Sequence, residues 1–384
     1  MKFKKSFFVA ALVAELFSSK ANAQLDNDIL RNDLSINAAD SNKLLFGLNT
    51  LNFLRNTEYF GPIEFGKTWF GYSLVPKLTY YPSSNVRIDA GGVFTKDFGN
   101  NQYRIAAPIF TVKISKNGYS GIFGNLEGAM SHRYIEPLYN IEYAVSKPLE
   151  NGLQFKIDKK RFFSDTWIDW QRMIYYGSPF KEEISAGTSN MLTLIGVDKK
   201  FRIAVPYQAV VHHFGGQIDT LRSLPLSTEI NMASGLRLSY HFSDSSFFKE
   251  LRSDNYYVLF TDESHVKKHA YSSGDGWYFN LLLKMRYVSL MASYWQGNKY
   301  LNPNGTYIYQ SANTVDAGQA LKRVPNRNLF FMRLFFEKQI IKNLNFEARL
   351  EPLYDFSRDM VDFSYSVYLR YNLNVKLTTI KLND

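Results

Sequence analysis

The chain has no cysteine, and only six histidines among 384 residues. Without thiols it can form no disulfide staple, no thiolate metal site, no cysteine nucleophile and no lipoprotein anchor. Beyond the N-terminus, no stretch approaches the roughly 18 consecutive apolar residues that a membrane-spanning helix needs. Phosphate-cradling glycine loops and nucleic-acid motifs are also missing, so the net charge of +10 needs another explanation and no nucleic-acid partner is expected. The histidines are sparse and scattered. His212 and His213 close one strand-like run, while His265 and His269 are four apart in a segment that reads as loop, which does not align them for a metal. The histidines therefore read as polar rim residues. Neither a catalytic group nor a metal or cofactor is assigned, and the chain is expected not to be an enzyme.

What is abundant is aromatic: 31 Phe, 26 Tyr and 5 Trp. At the N-terminus, Lys2, Lys4 and Lys5 precede an apolar stretch from Phe7 to Phe17 and the run Ala21-Asn22-Ala23. That order reads as a signal peptide over residues 1–23, cleaved before Gln24. Later residues alternate in the manner of strands, whose successive side chains face opposite ways. Trp277, Phe279, Leu281, Leu283, Met285 and Tyr287 share one face, and Asn280, Lys284 and Arg286 lie on the other. From Phe363 to Lys376 apolar and polar residues alternate over a run too long for most soluble sheets. A sandwich with one wet face also alternates, but aromatics near the ends of an apolar face suit the two interfaces of a membrane.

About 16 such segments can be marked: 43–56, 68–81, 86–95, 105–114, 120–131, 139–145, 153–160, 184–195, 201–212, 230–242, 255–262, 276–286, 288–296, 328–341, 344–355 and 360–377. Tight polar turns at 82–85, 115–118, 198–200 and 342–343 alternate with longer loops. The expectation is an all-β, antiparallel transmembrane β-barrel with short periplasmic turns and long extracellular loops. A periplasmic N-terminal segment would cover 24–42, the barrel 43–377 and a periplasmic tail 378–384. Inward-facing, pore-lining candidates are Arg87, Arg202, Arg237, Lys284, Arg286, Arg333, Glu347, Arg349, Glu351 and Arg370. Glu347 and Glu351 flank Arg349 on one strand face, which reads as a charge ladder rather than a catalytic dyad. Two loops stand out. Residues 161–182 contain Trp167, Trp170, Tyr175 and Tyr176, and read either as a lid or constriction or as a rim anchor. Residues 297–327 read as exposed and variable.

Signal peptide, even-numbered alternating strands, short turns and absent cysteine together resemble the porin-like outer-membrane β-barrel superfamily. The resemblance implies passive diffusion of small hydrophilic solutes across the outer membrane of a Gram-negative cell. Its partners would be outer-membrane lipid and the barrel-insertion machinery, with self-association left open. One feature departs from it: the last aromatic residue is Tyr371, short of the terminal aromatic such barrels commonly carry. Residues 24–42 provide no folded plug domain, so an energised, plugged transporter is not expected. The leader's four lysines against Glu15 leave about +7 on the mature chain, and inward bases outnumber acids, so a weak anion preference is expected. The alternatives are a barrel exporting or assembling surface polysaccharide or protein, a loop-closed structural or adhesive barrel and, last, an outer-membrane lipase or protease.

Overall fold

The computed structural model describes residues 27–380 except 217, 219–220, 222–224 and 314–319. The expected signal peptide, the first residues of the expected N-terminal segment and the last four residues of the expected tail lie outside the described residues. Sixteen antiparallel strands close into one barrel, each paired with its chain neighbours and β1 with β16. They are β1 (Lys43–Glu58), β2 (Lys67–Ser83), β3 (Val86–Asp97), β4 (Ile105–Lys116), β5 (Tyr119–Asn125), β6 (Asn151–Asp158), β7 (Phe162–Arg172) and β8 (Glu183–Ile195). The circuit continues with β9 (Phe201–Phe214), β10 (Ser227–His241), β11 (Phe248–Asp262), β12 (Ser273–Met285), β13 (Val288–Asn298), β14 (Asn326–Ile341), β15 (Leu344–Asp355) and β16 (Met360–Thr379). Closure leaves no sheet edge to meet hydrocarbon, which is why a membrane tolerates this sheet.

Side-chain alternation sets the two faces of the wall. On β14, Phe330, Met332, Leu334 and Phe336 are exposed outward, while Arg327, Leu329, Phe331, Arg333 and Phe335 are buried inside. On β16, Phe363, Tyr365 and Val367 face out against Ser364, Ser366 and Tyr368 within. The apolar exterior is that of an outer-membrane barrel. Turns such as Asn117-Gly118 and Lys342-Asn343 lie at the end that carries both termini, and the wider connections at the opposite end.

The strand count agrees with the sequence reading, but two errors cancel within it. Residues 139–145 are not a strand. Their alternation of Tyr139, Ile141, Tyr143 and Val145 belongs to an infolded loop that holds a single helical turn, Tyr143–Ser146. Residues 161–182 are not one long loop, because 162–172 form β7. Its inward row runs Phe163, Asp165, Trp167, Asp169, so neither face is uniformly apolar and the alternation is hidden. The expected strand over 120–131 stops at Asn125.

The lumen is filled from three directions. Residues 126–150 fold inward, burying Ile135, Leu138, Tyr139 and Ile141. Residues 299–313 do the same with Tyr300, Leu301, Ile308 and Tyr309, which corrects the expectation of an exposed loop there. Both loops join one apolar core with Tyr256, Tyr278, Trp295, Leu329 and Leu353 of the wall. They are also stitched to each other. Asn140 N–H donates to Asn304 O at 2.8 Å and Thr306 N–H to Glu136 O at 3.0 Å. A Cβ at position 305 would run into the Pro137 carbonyl oxygen, so this contact requires Gly305. The third direction is the segment before β1, expected from sequence to lie in the periplasm. Ile29 and Leu30 pack on Phe53, Ile141 and Tyr368 inside the barrel.

Candidate active site in the barrel lumen

Ion pairs hold the infolded loops to the wall. Arg333 is the main junction: Nη2 donates to Glu136 Oε2 at 2.6 Å and to Tyr309 Oη at 2.9 Å, Nη1 donates to Ser293 Oγ at 3.0 Å, and Nε lies 3.2 Å from Glu351 Oε1. Glu351 also meets Arg55 at 3.0 Å, and Arg55 and Lys67 reach Glu142 at 3.4 and 2.8 Å. Each cation thus finds a carboxylate across the wall or on a loop, as buried charges require.

A second junction centres on His132, which is wholly buried in loop 126–150. Nε2 lies 2.6 Å from Glu150 Oε2, Nδ1 lies 3.1 Å from Asp165 Oδ2, and the ring stacks on Trp167 with centroids 4.6 Å apart. Burial disfavours the charged ring, but Glu150 and Asp165 outweigh it and push its pKa up to about 10. With both nitrogens engaged and the ring protonated, His132 has no lone pair to accept a proton. It is a structural cation rather than a base. Nearby, burial works upward on the Glu127 carboxyl, yet Lys156 and Lys113 hold it well below the usual carboxylate range.

A pair suited to chemistry sits near the loop end of β8 and β9. Ser185 and His212 are directly opposed across the two strands, and Ser185 Oγ lies 2.9 Å from His212 Nδ1. Gln171 Nε2 donates to the same Oγ at 3.2 Å, and the serine hydrogen can point at the imidazole in the tautomer whose Nδ1 carries no proton. His212 Nε2 faces Glu183 Oε1 at 3.9 Å. On the other flank, Glu229 opposes His212 on β10, with Oε1 bonded to His269 Nε2 at 2.8 Å. A hydroxyl in contact with an imidazole is the pattern that activates a nucleophile, with the Glu183 carboxylate near Nε2 but beyond hydrogen-bond distance. Gln171 and Glu183, the partners of this pair, line a cavity of about 260 Å³ together with Glu150, Asp169, Lys147 and Arg172. The sequence reading assigned His212 to a strand end but missed Ser185, because the two are joined only by strand register. Among the described residues, no group of three or more His, Asp or Glu side chains is placed to hold a metal.

At the terminus end the lumen opens into a cavity of about 1220 Å³. The candidates Arg87, Arg286, Glu347 and Arg370 line it. Arg87 pairs with Asp89 at 2.9 Å and donates to Ser35 O at 2.8 Å, and Arg370 donates to the carbonyls of Ile29, at 2.9 Å, and Arg31. Arg349 bonds Glu347 and lies over the Phe335 and Tyr368 rings. Arg237 pairs with Asp254 and is buried, Arg202 and Lys284 are half-buried, and Arg286 is exposed. The aromatic candidates separate. Trp167 is an inward wall residue, Trp170 faces outward, and Tyr175 and Tyr176 sit on a short connection, 74% and 87% exposed.

The model of one protein family, described as Lipid A 3'-O-deacylase-type, matches residues 36–380. The chain belongs to this lipid A deacylase-type family. The expectation of a non-enzyme is corrected by that match, since the family is named for an enzyme. The misreading has a physical cause: side chains brought together only by strand register leave no local motif in the sequence. No curated protein matches the chain. Among solved structures it is similar to OccK2 (OpdF) of Pseudomonas aeruginosa in complex with glucuronate, at 10% identity over 90% of this chain and 100% of that one, TM-score 0.49. The outer membrane protein OprD of Pseudomonas aeruginosa gives 8% identity, 92% and 98% coverage and a TM-score of 0.49. A BenF-like porin from Pseudomonas fluorescens Pf-5 gives 9%, 87% and 100%, and 0.49. At these identities and TM-scores the likenesses carry no argument about function. The fold itself is the closed antiparallel barrel of 16 strands expected from sequence.

Proposed function

We propose that this deacylase-type barrel is an outer-membrane ester hydrolase that removes an acyl chain from a glycolipid of the lipid A class, with Ser185 as nucleophile and His212 as base. The observation that carries the reading is the 2.9 Å contact between Ser185 Oγ and His212 Nδ1, in a chain whose family is named for deacylation. In the reaction, His212 takes the Ser185 proton as Oγ attacks the ester carbonyl carbon. The tetrahedral intermediate collapses, the sugar oxygen leaves with the proton held on the imidazole, and water then releases the fatty acid from Ser185 by the same route. Glu183, facing Nε2, favours the imidazolium that forms. Ser185 is only 1% exposed, so the reading requires the ester to displace Gln171 from the hydroxyl. The test is fatty-acid release from lipid A by the purified barrel in detergent micelles, followed by mass spectrometry. Ser185→Ala and His212→Ala should each lower the rate by roughly a thousandfold or more. No release by the wild-type chain refutes the activity, and full activity in Ser185→Ala refutes the site.

A second reading, a channel for small hydrophilic solutes, is favoured by the 1220 Å³ cavity at the terminus end. The pore-lining role of Arg87, Arg202, Arg237, Lys284, Arg286, Arg333, Glu347, Arg349, Glu351 and Arg370 belongs to this reading. Six cationic side chains against five carboxylates line the cavity, which supports the weak anion preference. Because two loops pack the other half of the lumen, such a channel would be gated rather than open. Liposome swelling with small sugars checks it, and impermeability both in the wild type and after loop loosening would exclude it.

A further inference from the structure

The segment that leads into β1 runs inside the barrel, yet it joins no sheet. Among the described residues, the backbone–backbone hydrogen bonds of residues 27–41 stay within the segment, and the first to reach the wall are at Asn42, whose N–H donates to Tyr81 O at 2.7 Å. Side chains hold it instead. Arg370 donates to the carbonyls of Ile29, at 2.9 Å, and Arg31, and Arg87 donates to the Ser35 carbonyl at 2.8 Å. These ties can break without opening the sheet, because no ladder bond of the wall is shared with them.

On one side the segment meets open space, and on the other it meets loop 126–150. Asp28, Arg31, Asn32, Asp33, Ser35 and Asn37 line the 1220 Å³ cavity at the terminus end. Its aliphatic residues are covered. Ile29 and Leu30 pack with Ile141 and Val145 of the loop and with Phe53 and Tyr368 of the wall, and Leu34 is buried. Two backbone groups add to the contact: Leu34 N–H donates to Glu127 Oε1 at 2.9 Å, and Asn32 N–H to Ser131 Oγ at 3.3 Å. Glu127 is the carboxylate that Lys113 of β4, at 2.6 Å, and Lys156 of β6 grip. The segment therefore docks where loop 126–150 is fastened to the wall. Since its polar residues already face the cavity, leaving this seat exposes little beyond three aliphatic side chains.

We infer that residues 28–37 are a latch at the terminus-end mouth: seated, they hold loop 126–150 in the lumen, and withdrawn into the cavity they free it. The same loop reaches the other end of the barrel, where its Tyr143, Lys147 and Glu150 line the 260 Å³ cavity. One segment thus joins the two mouths. The latch stands without the Ser185 reading, and it rests on the channel reading only for what passes once the loop is free.

The test is hydrogen exchange, resolved by peptide, on the detergent-solubilised barrel. Leu30→Asp puts a charge where the segment is buried, and Leu34→Asn is the second variant should the first not close into a barrel. Exchange over 126–141 should become at least about tenfold faster together with that over 28–37, while β14 to β16 keep the wild-type rate. Because the chain has no cysteine, a pair introduced at the neighbouring Asn32 and Ser131 can join only to itself. Added to Leu30→Asp, Asn32→Cys with Ser131→Cys should return 126–141 towards the wild-type rate once oxidised, and reductant should free it again. Faster exchange of 28–37 with 126–141 unchanged, exchange that rises equally in β14 to β16, a cross-link that restores nothing, or loss of the barrel in both variants overturns the inference. Ion current across planar bilayers reads the dependent part separately. Loop release with current supports latch and channel together, and loop release without current leaves the latch and overturns the channel reading.

Discussion

Replacing Arg333 with alanine tests whether the lumen is closed by charge-locked loops. The guanidinium is 2% exposed and ties β14 to Glu136 of one infolded loop, Tyr309 of the other and Glu351 of β15. Removing it strands Glu136, for which Arg333 is the closest cation at 2.6 Å, while Glu351 keeps Arg55 at 3.0 Å. Breaking a buried pair from one side costs about 3–5 kcal/mol. At 1.4 kcal/mol per decade, the opening equilibrium of the loops should rise by about 10²-fold to several thousandfold. The wall should survive, because its ladder bonds do not involve this side chain. The assay is hydrogen exchange resolved by peptide, comparing 134–140 and 307–311 with β14 and β15, alongside heat-modifiable gel mobility as the check for a closed barrel. Faster exchange confined to the two loops is expected. Unchanged loop exchange in a closed barrel, or loss of the barrel itself, would refute the view that Arg333 locks loops rather than wall.

Other outcomes can be checked with the same material. His132, whose pKa is raised above the ordinary value of about 6.5 to about 10, contributes stability that is complete below pH ~6.5 and lost as pH rises through 10. Fluorescence of the stacked Trp167 should therefore change between pH 8 and 11, and His132→Phe should abolish that change. Arg370→Ala removes the side chain that holds the Ile29 and Arg31 carbonyls, so protease cleavage before β1 should become at least tenfold faster while the barrel core stays protected. Asn302→Ala removes donors to Pro137 O and Tyr300 Oη and should loosen both infolded loops together; an effect on loop 299–313 alone would show that the two are not coupled.

The barrel was legible in the sequence because strand alternation is a local property. Each of Trp277, Phe279 and Leu281 must face away from Asn280 and Lys284 whatever the rest of the chain does, and the phase of β9, β12, β14, β15 and β16 follows from that. Membrane insertion reinforces it, since the outward row must be apolar. The pattern misled where lumen and membrane faces were alike. Infolded residues 139–145 alternate as a strand would, and β7, whose inward row interleaves Asp165 and Asp169 with Phe163 and Trp167, does not. Tertiary structure alone decided what fills the barrel. Whether a long loop turns outward or inward depends on cavities and charged partners supplied by distant strands: Glu136 needs Arg333, and His132 needs Asp165. The candidate site has the same origin, since Ser185 and His212 become neighbours only when the β8–β9 register sets them opposite, and register is fixed by the closed sheet rather than by either residue's own surroundings.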